Sequence, residues 1–320
     1  MNYQTFLVLA RVCTIFLLGI LISIKVNAAS EQVLVVLSHD APAYHSVKNS
    51  LSQTLNLQQA KDFQIHSIFA YEDIDAQIKS LSDLCAIVSV GVNATNRVNQ
   101  LGQIIDVPNF SVLIPKDAYD SLFQNTYNKP DVTILIDQPV SRLIDLARIL
   151  LPDAQRLGVM LSQDGQKQNI AIAGRKQGFV LYDVIARKGE NPAIKIKDLL
   201  DRSDIVLALP DSVALTRQNA KWLLYMAYQN NIPVIGFSKA YVDAGGLAAV
   251  YTAPEAIGKQ AAELILSFEK LAGDQVIPRM MYPREFSVSV NQWVAKSLNI
   301  NVTENANLVE ELKRAESRVQ

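Results

Sequence analysis

Two cysteines and three histidines are all that the 320-residue chain has of those types, and neither set is arranged for chemistry. Cys13 lies in an apolar N-terminal stretch. Cys85 is then alone in the strand-like run CAIVSVG, so no disulfide forms in the remainder. No feature near Cys85 would lower a thiol pKa, and it reads as a buried, inert side chain. His39, His45 and His66 show no metal-ligand spacing. No G-x-S-x-G elbow, phosphate-binding loop, G-x-G-x-x-G or C-x-x-C is present. The expectation is a protein that is not an enzyme and holds no cofactor and no metal. A charge excess is also missing. Thirty basic and 31 acidic residues leave a formal charge of −1, which gives no reason to expect a nucleic-acid partner.

What is present is apolar sequence in quantity, 49% hydrophobic against 19% charged, enough for a large core and two domains of ordinary size. The first 28 residues stand apart. Phe6–Ala10 and Val12–Ile24 are apolar, interrupted by Arg11, and run into Lys25-Val26-Asn27-Ala28 with small residues at a signal-peptidase site. The expectation is a signal peptide over residues 1–28, cleavage after Ala28 and a periplasmic location. An uncleaved membrane anchor is the alternative that the apolar length permits.

Beyond the leader, strand and helix alternate. Strand-like runs cover Gln32–Leu37, Phe63–Phe69, Cys85–Val90, Asn109–Ile114 and Val132–Ile136, with helical periodicity between them. Gln138-Pro139 reads as a crossover, after which the alternation restarts through Arg156–Leu161 and Phe179–Ile185. Asp204–Tyr251 is the clearest stretch: strand, helix, strand, a turn at Asp243-Ala244-Gly245-Gly246, and strand. Pro254–Leu271 is a long helix, 277–283 has a linker's character, and a strand, a short helix and a charged helix end the chain. This pattern is that of parallel α/β sheets. The expected fold is two Rossmann-like α/β lobes joined by a hinge, with a cleft between them. The first lobe takes 29–138 plus roughly 253–283, the second 139–252, and residues 284–320 pack on both.

In open parallel sheets a ligand sits outside the carboxyl ends of the strands. There the sequence places polar residues: Ser38, His39 and Asp40; Ser89, Gly91, Asn93 and Thr95; Ser162; Asp211; and Ser238. Hydroxyls, amides and helix N-terminal N–H groups suit a small polar molecule. Each residue alone serves equally as a helix cap, and Asp211 either accepts from an ammonium group or caps the helix that follows. Tyr44 and Tyr241 are placed to stack on a bound ring or to pack in the core.

The segments AIVSVGVNAT, LALPDSVAL, NNIPVIGFSKAYVDAGGLAAVYTAPEAIGKQAAELIL and FSVSVNQWVAKSLNINV resemble the ABC-transporter substrate-binding family that includes tryptophan- and tyrosine-uptake binding proteins. The likeness is strongest over Asp204–Val302. It implies a type I periplasmic-binding fold that closes on a small-molecule ligand and delivers it to an ABC permease in the inner membrane. Carried over by motif, its cleft positions fall on Ser38, Ser89, Asn93, Asp211 and Ser238. The chain departs from the family pattern at FSVLIPKDAYDSL and LIDQPVSRL, which form one cleft wall, and the ligand stays open between polar and amino-acid-like molecules. The alternative function is a membrane-anchored or periplasmic ligand sensor on the same fold.

Overall fold

The computed structural model describes residues 30–57, 62–102, 107–124, 128–163, 166–271, 279–302 and 305–317. The leader expected over residues 1–28 lies outside them.

In the first lobe, β1 (Glu31–Leu37), β2 (Phe63–Phe69), β3 (Leu84–Val90), β4 (Asn109–Ile114) and β5 (Val132–Leu135) alternate with α1 (Pro42–Asn56), α2 (Ile74–Ser80), α3 (Val92–Gln100) and α4 (Lys116–Phe123). Strand sequences such as EQVLVVL are apolar on successive residues because helices cover both faces of the sheet, and Val33–Val36 are wholly buried. Helix starts are set locally. Pro42 supplies its fixed φ at the first position of α1, and the Asp73 carboxylate accepts the Ala76 N–H at the start of α2.

The second lobe repeats the layout with β6 (Arg156–Leu161), β7 (Val180–Ile185), β8 (Ile205–Leu207), β9 (Val234–Gly236) and β10 (Ala248–Tyr251). Its helices are α5 (Val140–Leu150), α6 (Lys167–Lys176), α7 (Pro192–Asp201), α8 (Arg217–Gln229) and α9 (Lys239–Asp243). The chain then returns through α10 (Pro254–Leu271) to β11 (Met280–Met281), and crosses again to β12 (Ser287–Val290), α11 (Gln292–Ser297) and α12 (Asn305–Ser317).

Two six-stranded sheets result, ordered β11-β5-β4-β3-β1-β2 and β12-β10-β9-β8-β6-β7. All pairings are parallel except β12 against β10. Each sheet thus follows the same doubly wound order, and the chain crosses between sheets after β5, after β10 and after β11. The helix α10 packs along α1 of the first lobe. Gly258 allows that approach, because a Cβ there would overlap the Val47 carbonyl oxygen. The last helix, α12, packs on α5 and β12 of the second lobe. Among the described residues, every extensive packing of one element on another lies within a single lobe. The lobes are joined by their crossovers, an arrangement that leaves relative motion open.

Three sequence expectations are corrected here. Within the expected linker at 277–283, Met280–Met281 pair in parallel with Thr133–Ile134 and form the edge strand of the first sheet. Before the turn at Asp243–Gly246, the chain makes the short helix α9. Within α9, Tyr241 turns into the core against Phe237, and burial pushes its phenol up to about 12. Cys85 is half-buried at the margin of the first-lobe core rather than fully enclosed.

Candidate ligand-binding cleft

The carboxyl ends of β1, β3 and β4 and the chain leaving β5 surround a cavity of about 310 Å³, lined by Ser38, His39, Ala43, Tyr44, Val92, Asn93, Leu113, Pro115 and Ile136. Its character is apolar and aromatic. The His39 and Tyr44 rings meet edge to face at 4.8 Å between centroids. Burial pushes the Tyr44 phenol up, and a hydrogen bond with Ser38 offsets part of that. Leu113 lies in a bulge of β4 with φ +57, a left-handed backbone that a leucine adopts only where its surroundings enforce it. That bend turns the chain at Pro115 into α4.

Gly91 holds this wall together. Its φ is +85, and a Cβ there would stand 2.7 Å from the Ser38 hydroxyl oxygen and 2.8 Å from that of Tyr44. Ser38, 6% exposed, donates to the Val90 carbonyl at 2.8 Å and accepts the Ala94 N–H at 2.9 Å, tying β1 to the first turn of α3.

A second cavity, with a lining of its own, is polar. It holds about 400 Å³ and is lined by Asp117 and Ser121 of α4 in the first lobe. From the second lobe come Leu161, Ser162, Gln163 and Gln166 after β6, Ala186, Arg187 and Lys188 after β7, and Leu209 to Val213 after β8. Both lobes therefore contribute to one space. A further cavity of about 440 Å³ continues it between α4 and α6, sharing Asp117, Ser121, Gln163 and Gln166.

Asp211 organises the second-lobe wall. One carboxylate oxygen accepts the Ser162 N–H at 2.7 Å, and the other accepts the N–H groups of Val213 at 3.0 Å and Ala214 at 2.7 Å. The carboxylate keeps its negative charge, Arg187 pairs with Glu190 at 3.5 Å, and Lys188 adds a further cation, so this wall carries charge of both signs. Across the cleft, Asp137 accepts the Lys116 N–H at 2.8 Å and fixes the start of α4. Burial pushes the Asp137 carboxyl up to about 6, with the nearby Asp117 charge acting in the same direction.

Of the ten residues expected from the sequence, Ser38, His39 and Asn93 line the first cavity and Ser162 and Asp211 the second. Five are elsewhere. Ser89 and Thr95 are 0% and 1% exposed and form a buried hydroxyl knot with Ser111, at 2.9 Å from Ser89 and 2.7 Å from Thr95. Gly91 is buried beneath Ser38 and Tyr44. Asp40 points away to His45 at 2.7 Å, and Ser238 starts α9; neither lines either cavity. Sequence reasoning missed Asp117, Ser121, Gln166, Arg187 and Lys188. Ser212, next to Asp211 in the PDS turn, is placed by the sequence at the same strand end and lines the second cavity. Arg187 and Lys188 follow a strand in the same way and carried the same signal. Asp117 and Ser121 carried none, since only the folded crossovers bring α4 against the other lobe.

Among the described residues no group of histidine, cysteine and acidic side chains is placed to hold a metal ion, and no helix is long and apolar enough to cross a membrane.

The profile of the family described as ABC transporter substrate binding protein matches residues 117–313. No curated protein sequence matches the chain. Among solved structures, a substrate-binding protein with adhesive properties from Clostridium difficile, in its ligand-free, open form, is similar over 87% of this chain and 97% of its own, with a TM-score of 0.66 and 18% identity. The ABC domain from Streptococcus pneumonia in complex with L-Trp covers 88% and 98%, with a TM-score of 0.57 and 16% identity. A periplasmic ribose ABC transporter protein from Conexibacter woesei covers 88% and 98%, with a TM-score of 0.54 and 12% identity. At these identities the likeness is one of fold: two α/β lobes of the type I periplasmic-binding class.

Proposed function

Since the chain belongs to the ABC transporter substrate-binding protein family, we propose that it captures one small polar or amino-acid-like molecule between its lobes and hands it to an ABC permease. The supporting observation is the cavity that takes Asp117 and Ser121 from one lobe and Ser162, Arg187, Lys188 and Ser212 from the other. A molecule held there bridges both lobes, so its affinity for the closed arrangement exceeds that for the open one, and binding drives hinge closure.

The two walls define the ligand's shape. Tyr44, His39 and Ile136 offer an apolar and aromatic surface to a side chain or ring, and Arg187, Lys188 and the hydroxyls of Ser162 and Ser212 meet a polar, anionic head. Both an amino acid and a sugar are associated with solved proteins of this fold, L-Trp bound in the streptococcal domain and ribose by name in the Conexibacter protein. The aromatic wall favours the amino-acid-like alternative here. The protein acts by binding, in keeping with its substrate-binding family. It is exported by the leader and works in the periplasm.

The experiment is a thermal-shift and calorimetric screen of the exported protein against amino acids, small carboxylates and sugars. A stabilising ligand that binds one per chain is expected from the amino-acid-like class. A response only to sugars would overturn the ligand class, and no response to any compound would overturn capture itself. Mass spectrometry of the exported protein tests the location, and a first residue of Ala29 is expected.

A further inference from the structure

The helix α8 differs from those on either side of it. Its sequence, RQNAKWLLYMAYQ, carries two cations and no acidic residue. Leu223, Leu224 and Ala227 are buried against the second sheet, in one core cluster with Leu199 and Leu200 of α7 and Tyr241 of α9. At about 100° per residue, Arg217, Lys221, Trp222, Tyr225 and Tyr228 share an arc of roughly 140° turned away from that core. All five are exposed, the three rings by 42%, 57% and 64%. The Trp222 and Tyr225 rings meet edge to face, 6.4 Å between centroids, and the Gln229 amide donates to the Tyr225 hydroxyl at 2.8 Å.

The flanking helices carry no charge excess. On and beside α7, Lys195 lies 4.0 Å from Glu190, Lys197 2.6 Å from Asp201 and Arg202 3.2 Å from Asp198. On α9, Lys239 lies 2.7 Å from Asp243. Arg217 and Lys221 have no such partner among the described residues, so the face of α8 is aromatic and positive at once. Clustered exposed rings mark a surface that something covers.

What covers this one must be anionic and must accept rings that stand out from a helix. A second copy fails the first condition, because a two-fold contact through this face sets two cations against two cations with no acid between them. A bilayer surface meets both. Its anionic head groups suit Arg217 and Lys221, and the head-group layer is where Trp and Tyr rings settle, apolar body inward and polar tip in water. Arg217 opens α8 shortly after Val213, which lines the second cavity, so the face begins beside the cleft.

We propose that the outer face of α8 docks on an anionic bilayer, with Trp222, Tyr225 and Tyr228 in the head-group layer and Arg217 and Lys221 against lipid phosphates. Docking is reversible, since three rings and two cations hold far less strongly than a spanning helix. It keeps the cleft close to the membrane. This inference goes beyond ligand capture and does not depend on it.

The test is co-sedimentation of the exported protein with vesicles of phosphatidylcholine mixed with phosphatidylglycerol, and with vesicles of phosphatidylcholine alone. Three double variants are compared with the original chain, all at exposed positions and each confirmed folded by circular dichroism. Arg217→Gln with Lys221→Gln removes the charge of the face, and Trp222→Ala with Tyr225→Ala removes its rings. Arg175→Gln with Lys176→Gln is the control, taking the same charge from α6 on the other side of the sheet. Binding to the mixed vesicles, weakened about tenfold or more in both α8 variants and by salt, is expected, with the α6 variant close to the original. Trp293→Phe leaves Trp222 as the single tryptophan, and its emission should move to shorter wavelength on the mixed vesicles. No binding to the mixed vesicles, an equal loss in the α6 variant, or a Trp222 emission that stays in place would overturn the lipid surface. A dimer in analytical ultracentrifugation that the α8 substitutions abolish would overturn it too, by giving the face to a second copy.

Discussion

Asp211, in the turn beyond β8, accepts the backbone N–H of Ser162, just beyond β6, 2.7 Å away, and so joins the chain leaving two strands into one rim. The same carboxylate caps the turn that follows through Val213 and Ala214. Asp211→Ala would strand three N–H donors, two of them partly buried. A loss of about 2–4 kcal/mol is expected in urea denaturation, at about 1–3 kcal/mol per buried unsatisfied group with partial relief from water. Ligand affinity should fall with it, because Ser162 loses its anchor. Asp211→Asn keeps one acceptor oxygen and should lose less.

Gly91→Ala tests the opposite wall. Alanine would have to hold φ +85 and push aside Ser38 and Tyr44. A destabilisation of about 2 kcal/mol or more is expected, combining left-handed strain with overpacking. A stability within about 0.5 kcal/mol of the original would show that Ser38 and Tyr44 do not close over Gly91.

The strands were legible where helices cover both faces. Asn109–Ile114 and Arg156–Leu161 are bounded in the structure as the sequence reads them, because apolar runs between polar strand ends leave little choice of limits. The edge strand Met280–Met281 was not, since two residues beside Thr133 and Ile134 carry no periodicity. At the site, position along the chain was legible but side-chain direction was not. Ser89 sits on a strand that ends at the cleft, yet its hydroxyl faces inward to Ser111, in register across β3 and β4. Ser89, one position before the end of its strand, belongs to the core, whereas Ser38 and Ser162, just beyond theirs, reach the cleft. The Arg142–Glu316 pair joins positions 174 apart and had no local signal at all.

Asp137 gives the pH dependence. Its carboxyl titrates at about 6 in the folded protein, against an ordinary value of 3.8. Between about pH 4 and 6 the folded chain therefore binds a proton that the unfolded chain has released. Stability falls as pH rises through that window and stays at the lower level above it. The fall is about 3 kcal/mol, since a tenfold change in proton affinity is worth about 1.36 kcal/mol. Asp137→Asn keeps an oxygen that can accept from Lys116 and should be more stable than the original at about pH 7.5, where the aspartate is charged. The difference should vanish toward about pH 4. Melting temperatures of both proteins across this range measure it directly.

Capture of one ligand by both lobes at once is tested most directly by calorimetric titration of the ligand into Tyr44→Ala and Arg187→Ala, one substitution in each cavity. Both substitutions should weaken binding by about tenfold or more, since each removes roughly 1.4 kcal/mol or more of contact from one wall. The ligand should also shrink the radius of gyration of the original protein. Binding that survives either substitution unchanged, or that leaves the radius of gyration unaltered, would contradict capture between the lobes.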